Sequence, residues 1–400
     1  MSHRPSCPQG SWPRPTFEVA DVFRIKGEAY DSTHVLTPEQ GRALRDISSC
    51  RTARLGGHEE VCDSCGYARP AYNSCRNRHC PKCQGAAQRH WVEQHLGRIL
   101  PVHYFHVVAT LPAQLRPLVH RNRLALFGLL FHAASRSLLA LGQDRLKGSL
   151  GISAVLHTWT RELSFHPHLH CIVTGGGLTL DGSTWVAASQ NYLFPYLALS
   201  RLFRGKFLAG LTRLYKQGQL DLGGECEPLA ERDVFDLFKD RLYRKDWVVY
   251  QKPPFAGPED VYRYLGRYTH RVAISNWRID AIDEDSIRFK TRHRQTATLS
   301  HEEFIRRFLL HVLPKGFVKI RHFGLLAPAY AGARLETAQR LLASSADPPE
   351  PSVQTTPDAS ADPQPDTISV TPDTSLCPSC GVGRLRHVPL PEPLSRARSP

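Results

Sequence analysis

The chain has 400 residues, which favours two or three domains, and its 41% hydrophobic residues suffice for a buried core and exclude wholesale disorder. Eleven cysteines are too few for a disulfide-stapled scaffold. The absence of an 18-residue apolar run or an apolar leader argues against a membrane or secreted protein. The net charge is +14, and 40 of the 51 basic residues are arginine, whose planar fork binds phosphate. The composition favours a cytoplasmic nucleic-acid-binding protein, although arginine-rich codon usage would produce the same excess.

The first predicted element is a short helix over residues 38–49. Thr37 is a good N-cap, Pro38 suits the first helical position, and Gln40 can complete a capping box. We therefore assign residues 1–49 to an N-terminal arm and helix.

A cysteine-rich block follows, and we assign residues 50–95 to a zinc-binding domain. Each of two Cys-x-x-Cys pairs can place two thiolates on one tight turn, and two such turns complete the tetrahedral shell of Zn²⁺. The four ligands predicted for this structural zinc are Cys62, Cys65, Cys80 and Cys83. Cys75 and His58 are possible additional or substitute ligands. The alternative is a set of unrelated buried cysteines.

Arginines surround this block, and two of them, Arg76 and Arg78, lie between the cysteine pairs. They can contact DNA phosphates, so the module is a candidate DNA-binding element. A zinc ion that only stabilises the fold is the alternative.

Residues 100–335 are predicted to form one α+β domain, because strands and helices alternate without the regular βαβ pattern of a parallel sheet. The predicted strands are 102–109, 152–159, 168–174, 247–251, 272–280 and 286–292. The predicted helices are 113–141, 198–217, 259–270 and 301–312, the last beginning with a capping box of Ser300 and Glu303.

Histidines mark the paired strands 152–159 and 168–174. His168 and His170 are two residues apart, so both side chains point to one face of the strand and can converge on one divalent cation. Antiparallel pairing would bring His157 opposite this pair as a third ligand. Solvent-facing strand histidines without a metal are the alternative.

Tyrosines mark the predicted helix 259–270. Tyr264 and Tyr268 are four residues apart and share one helical face. Arg267 and Arg271 follow each tyrosine by three residues, and a guanidinium beside a phenol favours the phenolate. The alternative is an aromatic stripe packed on the sheet beside a solvated arginine face.

The C-terminal region is predicted to be a linker followed by a tail. Residues 344–375 contain six acidic residues, seven prolines and no lysine or arginine, and they lack the large apolar residues needed for a core. The tail, 376–400, contains Cys377 and Cys380, half of a zinc knuckle for which His387 could add a ligand. An unliganded pair is equally compatible with the sequence.

Three segments resemble the rolling-circle, two-tyrosine insertion-sequence transposases with an N-terminal zinc-binding domain, which belong to the HUH endonucleases. They are CDSCGYARPAYNSCRNRHCPKCQ, HPHLHCIVTGGGL and YLGRYTHRVAISN, in the order that the family shows. The resemblance covers about residues 20–335. It implies an antiparallel sheet with flanking helices, metal ligation by His168 and His170, and a nucleophilic role for Tyr264 and Tyr268.

The resemblance further implies a DNA transposase that nicks and rejoins single-stranded DNA through 5′-phosphotyrosine intermediates. The expected cofactors are structural Zn²⁺ and catalytic Mg²⁺ or Mn²⁺, and the expected partners are transposon ends and target DNA, at the bacterial nucleoid. A non-catalytic zinc-finger DNA-binding or regulatory protein, including a decayed transposase, is the rival interpretation. It accounts for the charge and the cysteines but not for the histidine and tyrosine motifs.

Overall fold

The computed structural model describes residues 15–85, 99–252, 272–292, 295–329, 332–344 and 376–390. The chain divides into two compact units. One comprises residues 1–84, 274–312 and 358–400, and the other comprises residues 85–273 and 313–357. The sequence predicted a continuous domain over 100–335, whereas 274–312 group with the N-terminal residues instead.

The described helices and strands are numbered in chain order. The helices are α1 Val19–Thr33, α2 Pro38–Ser49, α3 Arg116–Arg121, α4 Arg123–Leu146, α5 Tyr196–Lys216, α6 Arg232–Tyr243, α7 His301–Leu309 and α8 Ala333–Ser344. The strands are β1 Gly57–Cys62, β2 Ala68–Tyr72, β3 Tyr104–Thr110, β4 Gly148–Trp159, β5 Phe165–Thr179, β6 Trp185–Ala187, β7 Val249–Lys252, β8 Ile279–Ile282, β9 Ser286–Lys290, β10 Thr296–Ser300, β11 Ile320–Gly324 and β12 Leu385–Pro389.

The first unit combines α1, α2 and α7 with two small sheets, ordered β12-β1-β2 and β10-β9-β8. The predicted capping box at α2 is confirmed: the Gln40 amide donates to Thr37 Oγ1, and the Thr37 amide donates to Gln40 Oε1. Phe23 of α1 meets Phe308 of α7 edge to face, with ring centroids 5.2 Å apart. Apolar helix faces therefore form the core of this unit.

The second unit is built on an antiparallel sheet of order β11-β4-β5-β3-β7, with β6 paired to β5. β4 and β5 are its longest strands and lie next to each other, as the sequence predicted. The mixture of helices and antiparallel sheet confirms the predicted α+β class.

Helix α4 forms much of the core of the second unit. It packs against β4, β5 and α5, and it buries Leu126, Phe127 and Leu130 completely. Among the described residues it is the one helix long and apolar enough to cross a membrane, but 61% of its most apolar window is buried within the protein. This degree of burial is typical of a helix that forms part of a protein core.

Trp247, which lies just before β7, packs its ring against α5. We expect the substitution Trp247→Ala to lower the free energy of unfolding of the second unit by about 3–5 kcal/mol. The indole is 1% exposed, its centroid lies 5.3 Å from those of Phe203 and Phe207, and its N–H donates to the Leu242 carbonyl. Urea unfolding monitored by circular dichroism measures the loss. Tyr250→Ala is the control, since that ring is 52% exposed and should contribute under about 1 kcal/mol. Equal effects of both substitutions would contradict this packing.

Candidate active site and metal centres

Two neighbouring strands bring three histidines to one face of the large sheet. In the antiparallel register of β4 and β5, His157 lies directly opposite His168. His170 follows His168 by two residues and therefore shares its face, while Leu169 and Cys171 point into the core and are buried. The local alternation of polar and apolar residues thus places the imidazoles together.

The three imidazoles are close enough to hold one cation. One ring nitrogen from each of His157, His168 and His170 lies within 4.8 Å of the others. His168 Nε2 and His170 Nε2 are 3.1 Å apart, and the ring centroids of His157 and His170 are 4.3 Å apart. His157 is buried, whereas part of His168 remains accessible to solvent.

Hydrogen bonding determines which nitrogen of His168 is available as a ligand. Its Nδ1 lies 2.7 Å from the carbonyl oxygen of His166, which can only accept, so Nδ1 carries the proton. Burial lowers the pKa of His168 to about 4, which keeps the ring neutral near physiological pH. Its Nε2 therefore directs a lone pair towards His170, as a metal ligand requires.

A fourth histidine, His106, lies behind His170. It is buried on β3, and its Nε2 is 2.7 Å from His170 Nδ1. If His170 Nδ1 donates this hydrogen bond, its Nε2 also presents a lone pair to the cluster. Two lone pairs 3.1 Å apart repel each other unless a cation lies between them. His106 was not among the predicted ligands, because the sequence does not show which strand lies beside β5.

The donor set suits a divalent cation. Three neutral imidazoles are typical ligands of divalent transition ions, whereas Mg²⁺ and Mn²⁺ prefer oxygen donors and would need phosphate or water oxygens as well. Hydrogen bonds to the outer nitrogens of His168 and His170 orient both rings, as is usual for metal-bound histidines. The cluster can therefore hold a divalent cation, and its identity as Mg²⁺ or Mn²⁺ stays a prediction from the sequence.

Basic side chains border the histidine cluster. Arg116 Nη2 lies 3.1 Å from His166 Nδ1, and burial together with this guanidinium lowers the pKa of His166. Lys319 Nζ lies 5.1 Å from the ring centroid of Trp159, which stacks on His157. A phosphate at the cluster would thus lie in a positively charged surrounding.

The predicted tyrosine helix lies outside the described residues. Tyr264, Tyr268, Arg267 and Arg271 belong to the segment 253–271, so the structure does not relate them to the histidine cluster. Their roles stay predictions from the sequence.

The structure divides the four predicted zinc ligands between two separate clusters. Cys80 and Cys83 lie with Cys50 and Cys75, whereas Cys62 and Cys65 lie with Cys377 and Cys380. A single site of Cys62, Cys65, Cys80 and Cys83 is therefore a wrong grouping. The physical reason is that β1 and β2 separate the two turns, and each cysteine pair meets partners from a different part of the chain.

The first cluster, Cys50/Cys75/Cys80/Cys83, has the spacing of a tetrahedral thiolate site. Cys83 Sγ lies 3.6 Å from the sulfurs of both Cys50 and Cys75. Thiolates on a tetrahedral zinc are about 3.8 Å apart, because the Zn–S bond is about 2.3 Å. Hydrogen bonds that the Cys80 thiol donates to the neighbouring sulfurs, together with burial, raise its pKa, so four thiolates here need a cation to neutralise them.

Cys75 was predicted only as an additional or substitute ligand, and Cys50 was missed. Cys50 caps the C-terminus of α2, where it is fully buried beside the cysteine block. His58, the other suggested ligand, lies with Glu60 and His387 on β1 and β12, apart from both cysteine clusters. Arg76 and Arg78 are exposed on the loop that leads to Cys80, where they are accessible to a polyanion.

Comparisons with known proteins agree with these features. Residues 151–334 match the family described as "Putative transposase", and residues 22–111 match the family described as "Transposase zinc-binding domain". These ranges contain the histidine cluster and the first cysteine cluster respectively. No solved structure matches the chain.

Two curated relatives span most of the chain. "Putative transposase y4qJ" of Sinorhizobium fredii is 46% identical over 349 residues, which cover 85% of this chain and 87% of the relative. "Transposase for insertion sequence element IS801" of Pseudomonas savastanoi pv. phaseolicola is 30% identical over 350 residues, 80% of each chain. The chain belongs to the rolling-circle insertion-sequence transposase family of the IS91 type, with an N-terminal transposase zinc-binding domain.

Proposed function

We propose that the protein nicks and rejoins single-stranded DNA at transposon ends and target sites through 5′-phosphotyrosine intermediates, in the bacterial cytoplasm at the nucleoid. The observation that carries this proposal is the convergence of His157, His168 and His170, with the Nε2 atoms of the last two 3.1 Å apart. A non-catalytic DNA-binding protein does not require such a cluster.

The histidines would hold Mn²⁺ or Mg²⁺, which polarises a non-bridging oxygen of the scissile phosphate when bound. The His166 carbonyl and His106 keep the rings of His168 and His170 turned towards that ion. His106 is thus a positioning residue. Arg116 and Lys319 add positive charge where the phosphate would lie.

Tyr268 and Tyr264 are the proposed nucleophiles. The phenolate oxygen of one tyrosine attacks phosphorus, a new P–O bond to tyrosine forms, and the bond to the 3′ oxygen breaks. The leaving 3′ oxygen takes up a proton, and the 5′ phosphate stays on the protein. Since the phosphotyrosine ester conserves the energy of the cleaved phosphodiester bond, rejoining needs no nucleoside triphosphate. A second tyrosine allows a second cleavage before the first strand is released.

DNA contacts are proposed to spread over the arginine-rich surface, with Arg76 and Arg78 of the zinc-binding domain and Arg267 and Arg271 of the tyrosine segment among them. A single-stranded substrate is favoured, because an unpaired strand can bend its phosphate towards a partly buried site and stack its bases on aromatic side chains.

The test uses end-labelled oligonucleotides that carry the element's own terminus. In Mn²⁺ or Mg²⁺, a 3′ label should become covalently attached to the protein on a denaturing gel, whereas a 5′ label should be released on a fragment with a free 3′ hydroxyl. Chelator, or the same sequence as a blunt duplex, should reduce the adduct at least tenfold. Attachment of the 5′-labelled fragment instead would contradict the proposed polarity. Binding with no adduct under any condition would favour the non-catalytic rival.

A further inference from the structure

The C-terminal tail is joined to the zinc-binding domain across a very long stretch of chain. β12 pairs antiparallel with β1, so that Leu385 lies opposite Cys62 and Pro389 opposite His58. The Asp63 carboxylate accepts the Arg384 amide at 2.8 Å, and the Asp63 amide donates to the Arg384 carbonyl at 3.1 Å. The tail thereby completes the sheet that β1 and β2 begin.

The two cysteine pairs brought together by this pairing sit on matching turns. Both read Cys-x-x-Cys-Gly, and both glycines have left-handed backbone, with φ of 70° at Gly66 and 69° at Gly381. In each turn the glycine amide donates to the carbonyl of the first cysteine, Cys62 or Cys377. The glycine lets the chain reverse directly after the second cysteine.

Backbone amides point at the sulfurs of both turns. The amides of Ser64 and Cys65 lie 3.4 Å from Cys62 Sγ. In the tail, the Ser379 amide lies 3.3 Å from Cys377 Sγ, and the Gly383 amide lies 3.3 Å from Cys380 Sγ. N–H groups aimed at sulfur stabilise thiolates, the form that binds metal.

The sulfur positions fit a tetrahedral metal rather than disulfides. Cys62 Sγ is 3.8 Å from Cys380 Sγ, and Cys65 Sγ is 3.7 Å from Cys377 Sγ. These separations equal the edge of about 3.8 Å expected for four thiolates around zinc, and they far exceed a sulfur–sulfur bond of about 2.0 Å.

The backbone around this cluster leaves no spare room. A Cβ placed on Gly383 would lie 2.4 Å from Cys62 Sγ and 2.8 Å from the Ser64 Cβ. Cys62 and Cys377 are 3% and 1% exposed. Close approach of the tail backbone to the opposite turn is therefore part of the arrangement.

We propose that Cys62, Cys65, Cys377 and Cys380 bind a second zinc ion that fastens the tail, residues 376–390, onto the β1–β2 hairpin. The ligand pairs are more than 300 residues apart in sequence, and the residue numbers of Cys65 and Cys377 differ by 312. The tail lies beyond both ranges that match known families, which end at residues 111 and 334. The second ion closes the N-terminal domain with a segment from the opposite end of the chain, and it is independent of DNA cleavage.

Zinc content of the purified full-length protein tests this directly. The wild type should contain two zinc ions per chain, one for each cysteine cluster. The double variant Cys377→Ser/Cys380→Ser should contain one, and the matched variant Cys80→Ser/Cys83→Ser of the first cluster should also contain one. Cys226→Ser, which alters a buried thiol outside both clusters, should retain two. One zinc in the wild type, unchanged in the Cys377→Ser/Cys380→Ser variant, would overturn the proposal.

A second measurement on the wild type decides the case in which the tail variant misfolds and loses both ions. Alkylation followed by mass spectrometry should find Cys65, Cys377 and Cys380 protected in the zinc-loaded protein and modified after chelation. Cys65 is the informative thiol, since its side chain is exposed and would react at once without a metal. Rapid modification of Cys65 and Cys380 in zinc-loaded protein would overturn the second site.

Attachment of the tail to the rest of the chain through this zinc ion can be measured separately. With a protease site inserted between residues 344 and 376, the cleaved tail should remain bound to the rest of the chain in the presence of zinc. It should dissociate after chelation or in Cys377→Ser/Cys380→Ser. Release of the wild-type tail in zinc would show that the cluster does not hold it.

Discussion

His168→Ala is expected to lower the rate of DNA nicking by about two to three orders of magnitude while changing DNA affinity less than about threefold. The substitution removes a ligand whose Nε2 faces that of His170 at 3.1 Å. DNA affinity should survive, because phosphate contacts are spread over many arginines and one imidazole contributes little to them. Nicking kinetics with a labelled single strand, beside a binding titration, separate the two effects.

His166→Ala is the matched control for this variant. His166 lies on the same strand, but its contribution to the cluster is a backbone carbonyl that alanine retains. Its activity should remain within about tenfold of the wild type, the loss being that of the Arg116 contact. Mn²⁺ binding measured by calorimetry should weaken in His168→Ala and persist in His166→Ala. A His168→Ala protein that nicks at the wild-type rate would refute the metal role.

The double variant Tyr264→Phe/Tyr268→Phe is expected to lose covalent protein–DNA adducts altogether. Phenylalanine removes only the hydroxyl, so an aromatic stripe that served packing alone would tolerate both changes. Tyr268→Phe alone should strongly reduce the first adduct, and Tyr264→Phe should impair complete strand transfer more than a single nick. The measurement is the yield of adduct with the 3′-labelled strand.

Tyr262→Phe provides the control within the same segment, since in the predicted helix 259–270 a residue two positions before Tyr264 would lie on a different face. It should form adducts at the wild-type level. If the double variant still forms a 5′-phosphotyrosine and Tyr262→Phe does not, the nucleophile assignment is wrong and Tyr262 takes its place.

Much of the second unit could be predicted from local sequence. The period-two pattern of HPHLHCIV indicated a strand, and the neighbouring ISAVLHTW indicated its antiparallel partner, with His157 in reach. In the first unit, capping residues located the starts of α2 and α7, at Thr37 and Ser300. These features depend on residues close together in the chain.

Long-range pairing could not be predicted in the same way. Cys62 and Cys65 were paired with the next Cys-x-x-Cys along the sequence, because nothing local indicates a partner more than 300 residues away. Nine cysteines lie outside the large sheet unit, and eight of them make two complete sets of four thiolate ligands. His106 was missed because its role depends on which strand lies beside β5, a tertiary property.

The most direct test of the central claim is to locate the DNA on the protein. A covalent complex formed with wild-type protein and a transposon-end single strand is trimmed with nuclease and digested with trypsin. Cleavage after Arg263, Arg267 and Arg271 separates the two tyrosines into peptides 264–267 and 268–271. We predict that mass spectrometry finds the nucleotide remnant, through its 5′ phosphate, on Tyr264 or Tyr268. A remnant on any other residue, or a 3′-phosphate linkage, would contradict the proposed mechanism.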